Sequence, residues 1–172
     1  GISLTVIQAG VVWLMFAVSF FVKFEPAPVD LLFIVVVALF LSSGLRVSAP
    51  VMPIALFLLL YNVGGVMSYI SVAPDERARM FIITSCYMAV TAVFFALYVA
   101  QDTERHMAVV KNGYVFGGTI AAVLGVAGTM NLAGTGEFLT VYGRAAATFK
   151  DPNVYSTFLL LPTLMLIQGF LN

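Results

Sequence analysis

Charged residues are scarce in this sequence. Asp, Glu, Lys and Arg make up only 9% of the 172 residues, whereas an ordinary soluble domain has about 25%. Eight basic and eight acidic residues cancel, so no basic field is available to attract the phosphates of a nucleic acid. We therefore expect neither a soluble enzyme nor a nucleic-acid-binding protein.

Cysteine and histidine are almost absent, with Cys86 and His106 the single examples of each. One cysteine allows neither a disulfide framework nor a thiolate metal site, and one histidine cannot build a polyhistidine site. His106 stands among charged residues, where a solvated loop histidine is the default. We expect no metal, no cofactor and no redox chemistry by this chain alone.

Apolar residues are abundant instead. They form 62% of the chain, and the mean hydropathy is +1.06. A soluble domain of this size could not keep so much apolar surface from water. Since about 20 apolar residues cross a bilayer, the runs in this chain predict an all-α, polytopic transmembrane helical bundle of about five complete spans and a truncated sixth. We expect residues 1–172 to form a single transmembrane domain.

The spans are separated by charged or proline-broken segments. The predicted spans run from Ile2 to Val22, Leu31 to about Leu45, Pro50 to about Ile70, Met80 to Ala100, Tyr114 to about Met130, and Ser156 to Asn172. Gln101 to Gly113 is predicted to be a hydrophilic loop, and residues 131–155 an extramembrane loop on the same side as the loops after the first and third spans. Lys and Arg counts do not decide which side is cytoplasmic. Both ends of the chain look cut, so we expect a fragment of a longer protein.

Two groups of small residues lie inside the predicted spans. Tyr61–Gly65 reads Tyr-Asn-Val-Gly-Gly, which favours close helix packing with one interhelical hydrogen bond, or alternatively an unwound, ligand-lining segment. Gly117, Ala121, Gly125 and Gly128 fall near one face of the fifth span. Small residues there favour close approach of neighbouring helices, with a lipid-chain groove as the alternative.

The stretch with the most chemistry is residues 142–153, which read Tyr-Gly-Arg-Ala-Ala-Ala-Thr-Phe-Lys-Asp-Pro-Asn. Asp-Pro-Asn predicts a turn, with Asn153 or Ser156 capping the helix that follows. Arg144 and Lys150 precede that helix start, where free N–H groups and the positive dipole end favour anions. Two cations there predict either a site for a lipid-linked diphosphate or two interfacial anchors with snorkelling stems.

The pattern Gly-Arg-Ala-x-x-Thr-Phe-x-Asp-Pro-Asn, followed by an apolar helix with Leu-Pro, resembles the signature loop of the bacterial O-antigen ligase and polymerase superfamily. The resemblance covers about Gly143 to Pro162. Members of this superfamily are polytopic glycosyltransferases of the bacterial inner membrane. They transfer a glycan from undecaprenyl diphosphate to lipid A core, to another repeat unit or to a related acceptor.

The resemblance implies that Arg144 matches the family's motif arginine and that the loop faces the periplasm. Lys150, Asp151 and Asn153 would shape the same substrate-binding site, whose partners are membrane lipid and a lipid-linked glycan. The family usually has glycine where Ala147 stands. Its catalytic histidine lies in a large periplasmic loop much later in the chain, so no residue of this sequence is assigned a catalytic role.

A second hypothesis is a non-catalytic accessory transmembrane subunit that packs against a larger membrane complex, respiratory or photosynthetic. The lack of the family's catalytic half and the alanine at position 147 favour it. A small transporter would require charge inside the membrane, and the predicted spans contain none. Enzyme and accessory subunit both stay open at this level.

Overall fold

The computed structural model describes residues 3–44, 46–71 and 75–171. Within them the chain is overwhelmingly α-helical, which confirms the predicted class. The helices are α1 (Leu4–Ala17), α2 (Pro28–Ser43), α3 (Met52–Ser71), α4 (Glu76–Gln101), α5 (Thr103–Thr129), α6 (Gly136–Leu139) and α7 (Pro152–Leu171). Short 3₁₀ turns occupy Ala49–Val51 and Leu132–Gly134, and strands β1 (Thr140–Val141) and β2 (Arg144–Ala145) form a hairpin. The predicted boundaries at Ile2, Leu45 and Asn172 lie outside the described residues.

Four helical segments among the described residues are long and apolar enough to cross a membrane. They are α3 with its preceding 3₁₀ turn, α4, α5 and α7, with 23, 26, 27 and 20 residues. At about 1.5 Å rise per residue, each covers a hydrocarbon core of about 30 Å. α1 and α2, with 14 and 16 residues, fall short of that length. The four candidate transmembrane helices indicate a membrane protein.

The chain divides into two compact units. One contains the described parts of Gly1–Ser42 and Met107–Asn172, and the other those of Ser43–His106. The division falls near the start of α5. The single domain expected from the sequence stays a prediction.

In the first unit, α5 packs closely against α1 and α7 through its small residues. A Cβ atom on Gly117 would lie 2.6 Å from the carbonyl oxygen of Ala17 in α1, and one on Gly125 would lie 2.0 Å from the hydroxyl of Tyr155 in α7. Ala121 is fully buried, and its carbonyl accepts a hydrogen bond from Tyr155 at 3.2 Å. These positions face protein, so the predicted packing face is confirmed and the lipid-groove alternative is wrong.

Pro162 lies inside α7 without interrupting it. Proline has no N–H, so the carbonyl of Phe158, four residues earlier, loses its usual helical donor. Tyr114 of α5 replaces that donor, because its hydroxyl donates to the Phe158 oxygen at 3.1 Å. The two rings also meet edge to face, with centroids 4.9 Å apart. The carbonyl is thus satisfied inside the bundle, as a membrane interior demands.

The end of α1 differs from the prediction, since the helix stops at Ala17 rather than Val22. The hydroxyl of Ser19 donates a hydrogen bond to the carbonyl of Phe16 at 2.7 Å. Beyond it, Phe20 and Val22 pack against a buried cluster that combines Ala147 and Phe149 of the loop before α7 with Ala121 of α5 and Tyr155 of α7. These apolar residues serve a contact with a distant segment, which a local hydropathy window cannot reveal.

The hydrophilic loop predicted for Gln101–Gly113 is wrong, because α5 already begins at Thr103. The carboxylate of Asp102 accepts from the N–H of Arg105 at 3.2 Å and so caps the helix. His106 is therefore helical rather than a solvated loop residue. Its ring stacks on Tyr98 with centroids 3.9 Å apart, and its Nδ1 lies 2.5 Å from the Tyr98 carbonyl oxygen.

In the second unit, the Tyr61–Gly65 segment is regular helix within α3, so the unwound alternative is wrong. The amide of Asn62 donates to the Leu58 carbonyl of its own helix at 2.8 Å rather than across helices. A Cβ atom on Gly64 or Gly65 would meet nothing within 4 Å. The close packing predicted at these glycines is not formed among the described residues.

Candidate anion-binding loop

The candidate site begins with a tight hairpin between α6 and α7. Strands β1 and β2 pair antiparallel with Val141 opposite Arg144. Tyr142 and Gly143 connect them with φ of 52° and 73°, the backbone of a type I′ turn. Glycine adopts this shape freely, whereas another residue bears a steric cost of about 1–2 kcal/mol. The hairpin holds Arg144 exposed on a short, hydrogen-bonded strand.

Arg144 and Asn153 are brought together, although they come from the hairpin and from α7. The guanidinium of Arg144 donates to the side-chain oxygen of Asn153 at 3.3 Å. No carboxylate pairs with Arg144 among the described residues. A guanidinium has five N–H donors, so most of those of Arg144 stay available for an anion.

Lys150 does not join Arg144 but turns to the loop between α1 and α2. Its ammonium binds the carboxylate of Glu25 in an exposed ion pair. The hydrogen bond and the charge of Lys150 lower the pKa of Glu25. Of the two cations predicted to share an anion site, Lys150 thus already has a carboxylate partner.

Asp151 caps α7. Its carboxylate accepts from the backbone N–H of Asn153 at 2.6 Å, and Pro152 takes the first helical position, where a missing N–H costs least. The predicted caps, Asn153 and Ser156, are therefore wrong, and the last helix begins at Pro152 rather than Ser156. The carboxylate of Asp151 already occupies the helix N-terminus that was expected to attract an anion.

Beneath the exposed residues, the loop has a buried base. Thr148 is 3% exposed, and its hydroxyl donates to the carbonyl of Phe20 at 2.6 Å. The ring of Phe149 contacts those of Tyr155 and Phe158, with centroids 5.8 and 5.0 Å apart. This base fixes the position of the hairpin and of the start of α7.

Ala147 belongs to the same base, fully buried with a left-handed φ of 48°. Glycine adopts this conformation without strain. The position where the resembled family usually has glycine is therefore one at which the backbone itself favours glycine.

The loop between α1 and α2 contacts the segment before α7 at a third point, besides the Lys150–Glu25 and Thr148–Phe20 contacts. The ammonium of Lys23 donates to the carbonyl of Phe138 and lies 3.9 Å from the centre of the Phe138 ring. Lys23 and Glu25 belong to a charged, proline-broken segment between the first two predicted spans, and their contacts with the candidate site were not predicted. The available signal was that the loops after the first and fifth spans were expected on one side of the membrane.

The loop presents an exposed guanidinium on a hairpin that the buried base supports, which makes it a candidate anion-binding site. Among the residues that the structure describes, no group of three or more His, Cys, Asp or Glu side chains is placed to hold a metal ion. No protein-family model, curated protein or solved structure matches the chain.

Proposed function

We propose that this chain is the donor-binding part of an O-antigen ligase-like or polymerase-like glycosyltransferase, and that Arg144 binds the diphosphate of an undecaprenyl-diphosphate-linked glycan. One observation carries the proposal: Arg144 is exposed on the hairpin and contacts an amide oxygen, not a carboxylate. The signature loop at Gly143–Pro162 supplies the substrate class by resemblance.

The chemistry of the group suits this role. A planar guanidinium grips two phosphate oxygens at once, whereas an ammonium acts as a point charge. During transfer, the bond from the anomeric carbon to the phosphate oxygen breaks, and an acceptor oxygen bonds to that carbon. Negative charge then collects on the departing diphosphate, where a fixed cation lowers the barrier. The side-chain oxygen of Asn153 orients the cation.

Lys150 and Asp151 have supporting roles in this proposal. Lys150 ties the loop to Glu25, and Asp151 caps α7. Both are exposed residues at the edge of the site, and both shape the loop rather than grip the substrate.

The proposal also sets the membrane context. The chain would lie in the inner membrane of a bacterium, with the loop on the periplasmic side. α1 and α2 would add to the four longer helices as spans, because both are mostly apolar and the residues at their ends can enter the headgroup layer. The catalytic histidine would come from another part of the enzyme.

The test uses the intact gene in cells that lack it. We expect Arg144→Ala to abolish glycan attachment or chain growth and Arg144→Lys to restore part of it, because lysine keeps the charge but not the two-point grip. Arg77→Ala is the matched control, since Arg77 is an exposed arginine at the start of α4, outside the loop. Normal surface glycan in a stably expressed Arg144→Ala variant would contradict the proposal.

One observation favours the second candidate, a non-catalytic subunit within a larger membrane complex. No residue of α3 is buried, and a groove of about 370 Å³ lies between α3 and α4, lined by Asn62, Gly64 and Phe81 among others. A neighbouring transmembrane helix would fill such a groove. This candidate predicts that the protein copurifies with a defined complex and that Gly64→Leu disrupts the complex. It also predicts that Arg144→Ala leaves the surface glycan unchanged.

A further inference from the structure

We propose that residues 130–151, which we call the interfacial shelf, lie in the headgroup layer of the bilayer instead of projecting into water. Tyr142 is their anchor, and the partner is the phospholipid of the membrane that α5 and α7 cross. This inference does not depend on the proposed function, because it concerns where the segment lies and not what Arg144 binds.

The shelf exposes large apolar side chains outside the spanning helices. Met130, Leu132, Phe138 and Tyr142 are 66%, 51%, 46% and 97% exposed. α5 ends at Thr129 and α7 begins at Pro152, so both ends of the shelf are held at the boundary of the membrane. The headgroup layer extends only about 5–8 Å beyond the hydrocarbon core. Apolar side chains on a segment held there reach lipid more readily than bulk water.

Many backbone groups of the shelf have hydrogen-bond partners within it, both backbone and side chain, as a site poor in water requires. The N–H of Gly136 donates to the side-chain oxygen of Asn131 at 2.9 Å, and the Gly136 carbonyl accepts from the Thr140 hydroxyl at 2.7 Å. The hydroxyl of Thr135 donates to the carbonyl of Leu132 at 2.8 Å. A loop built to face water needs fewer such internal partners.

Tyr142 is the residue of the shelf that is least suited to a position surrounded by water. Its positive φ carries a steric cost, and with 97% exposure its ring gains almost nothing from packing within the chain. Tyrosine is enriched where a membrane meets water, since the ring prefers the acyl boundary and the hydroxyl stays hydrated. Arg144, an exposed cation two residues further on, would then lie among the anionic lipid phosphates.

The experiment measures the depth of position 142. Trp13 is the single tryptophan, so Tyr142→Trp in a Trp13→Phe background places one fluorophore at the tip of the hairpin. Phenylalanine keeps the ring contact that Trp13 makes with Phe116. The protein is reconstituted into vesicles of phosphatidylcholine and phosphatidylglycerol, with or without lipid brominated high on the acyl chain.

We expect brominated lipid to quench most of the emission and aqueous iodide to change it little. A second variant, Phe138→Trp in the same background, should give the same pattern. Strong quenching by iodide with none by brominated lipid, at both positions, would overturn the shelf. That result would leave the proposed function standing, because the effect of Arg144→Ala on surface glycan is measured separately.

Discussion

The ammonium of Lys150 binds the carboxylate of Glu25, although the two residues are 125 positions apart in the chain. This ion pair connects the loop after α1 with the start of α7, and the bond from Thr148 to the Phe20 carbonyl connects the same two segments. The candidate site therefore depends on two distant segments of the first unit, the loop after α1 and the loop before α7. Its geometry depends on the fold of that unit rather than on the signature loop alone.

The ion pair predicts a dependence of stability on pH. Because Lys150 lowers the pKa of Glu25 in the folded protein, the pair stabilises the fold above the ordinary glutamate pKa of about 4.3. That contribution is lost as the pH falls through the lowered folded value. Glu25→Gln should lower the Tm slightly at neutral pH, since both side chains are largely exposed.

The measurement is the Tm of both proteins in detergent, followed from neutral pH into acid. The difference between wild type and Glu25→Gln should shrink to nothing once both glutamate pKa values have been passed. A difference that stays constant across the whole range would contradict the ion pair.

A second prediction concerns the carbonyl that Pro162 leaves without a helical donor. Tyr114→Phe keeps the ring against Phe158 but removes the hydroxyl that donates to the Phe158 oxygen. A buried acceptor left without a partner costs about 1–3 kcal/mol, so the variant should unfold at lower temperature. Tyr61→Phe is the matched control, since Tyr61 is an exposed tyrosine of α3. Equal Tm values for the two variants would show that the hydroxyl contributes nothing.

A third prediction concerns the approach of α5 to α1. A Cβ atom on Gly117 would lie 2.6 and 3.0 Å from the carbonyl oxygens of Ala17 and Phe16. Backbone atoms cannot move aside as side chains do, so Gly117→Ala should destabilise the protein by about 1–3 kcal/mol. Gly10→Ala makes the same change on α1, where nothing lies within 4 Å, and should be neutral or stabilising because alanine is the better helix former. The Tm of both variants tests this difference, and an equal loss of Tm in Gly117→Ala and Gly10→Ala would contradict the close approach of α5 to α1.

Local patterns predicted much of the fold. The cores of α3, α4 and α5 follow directly from apolar runs of membrane-spanning length, and small residues on α5 predicted the face that packs. Arg144 and Asn153, nine residues apart, are in hydrogen-bond contact, while the substrate site that they were expected to share stays a prediction. Each of these predictions depends on residues close together in the chain or on one helix face.

What the sequence did not predict depends on contacts between distant segments. Phe20 and Val22 looked like the end of a span, yet they pack against the buried base of the loop. Lys150 was expected to share an anion site with Arg144 because the two are near in sequence, yet its ammonium forms an ion pair with Glu25. A local window contains no information about which of two partners a flexible lysine side chain reaches.

The fourth prediction concerns Ala147, whose buried methyl group sits on a left-handed backbone. Ala147→Gly removes a steric cost of about 1–2 kcal/mol. It also removes a buried carbon, worth about 0.8 kcal/mol, and raises the entropy of the unfolded chain by about 0.5–1 kcal/mol. These effects nearly cancel, so Ala147→Gly should leave the Tm almost unchanged.

Ala147→Val is the informative counterpart. A β-branched residue is a poor fit to a positive φ, and two more carbons would have to be packed at a fully buried position, so the variant should lose about 1–3 kcal/mol. If Arg144 binds the donor diphosphate as proposed, the variant should also lose that binding, because the backbone at 147 connects the hairpin to the buried base that holds it. If Ala147→Val and Ala147→Gly had equal Tm values, the left-handed backbone at position 147 would not be required. The shape of the loop would then have to come from the contacts of Thr148 and Phe149 alone.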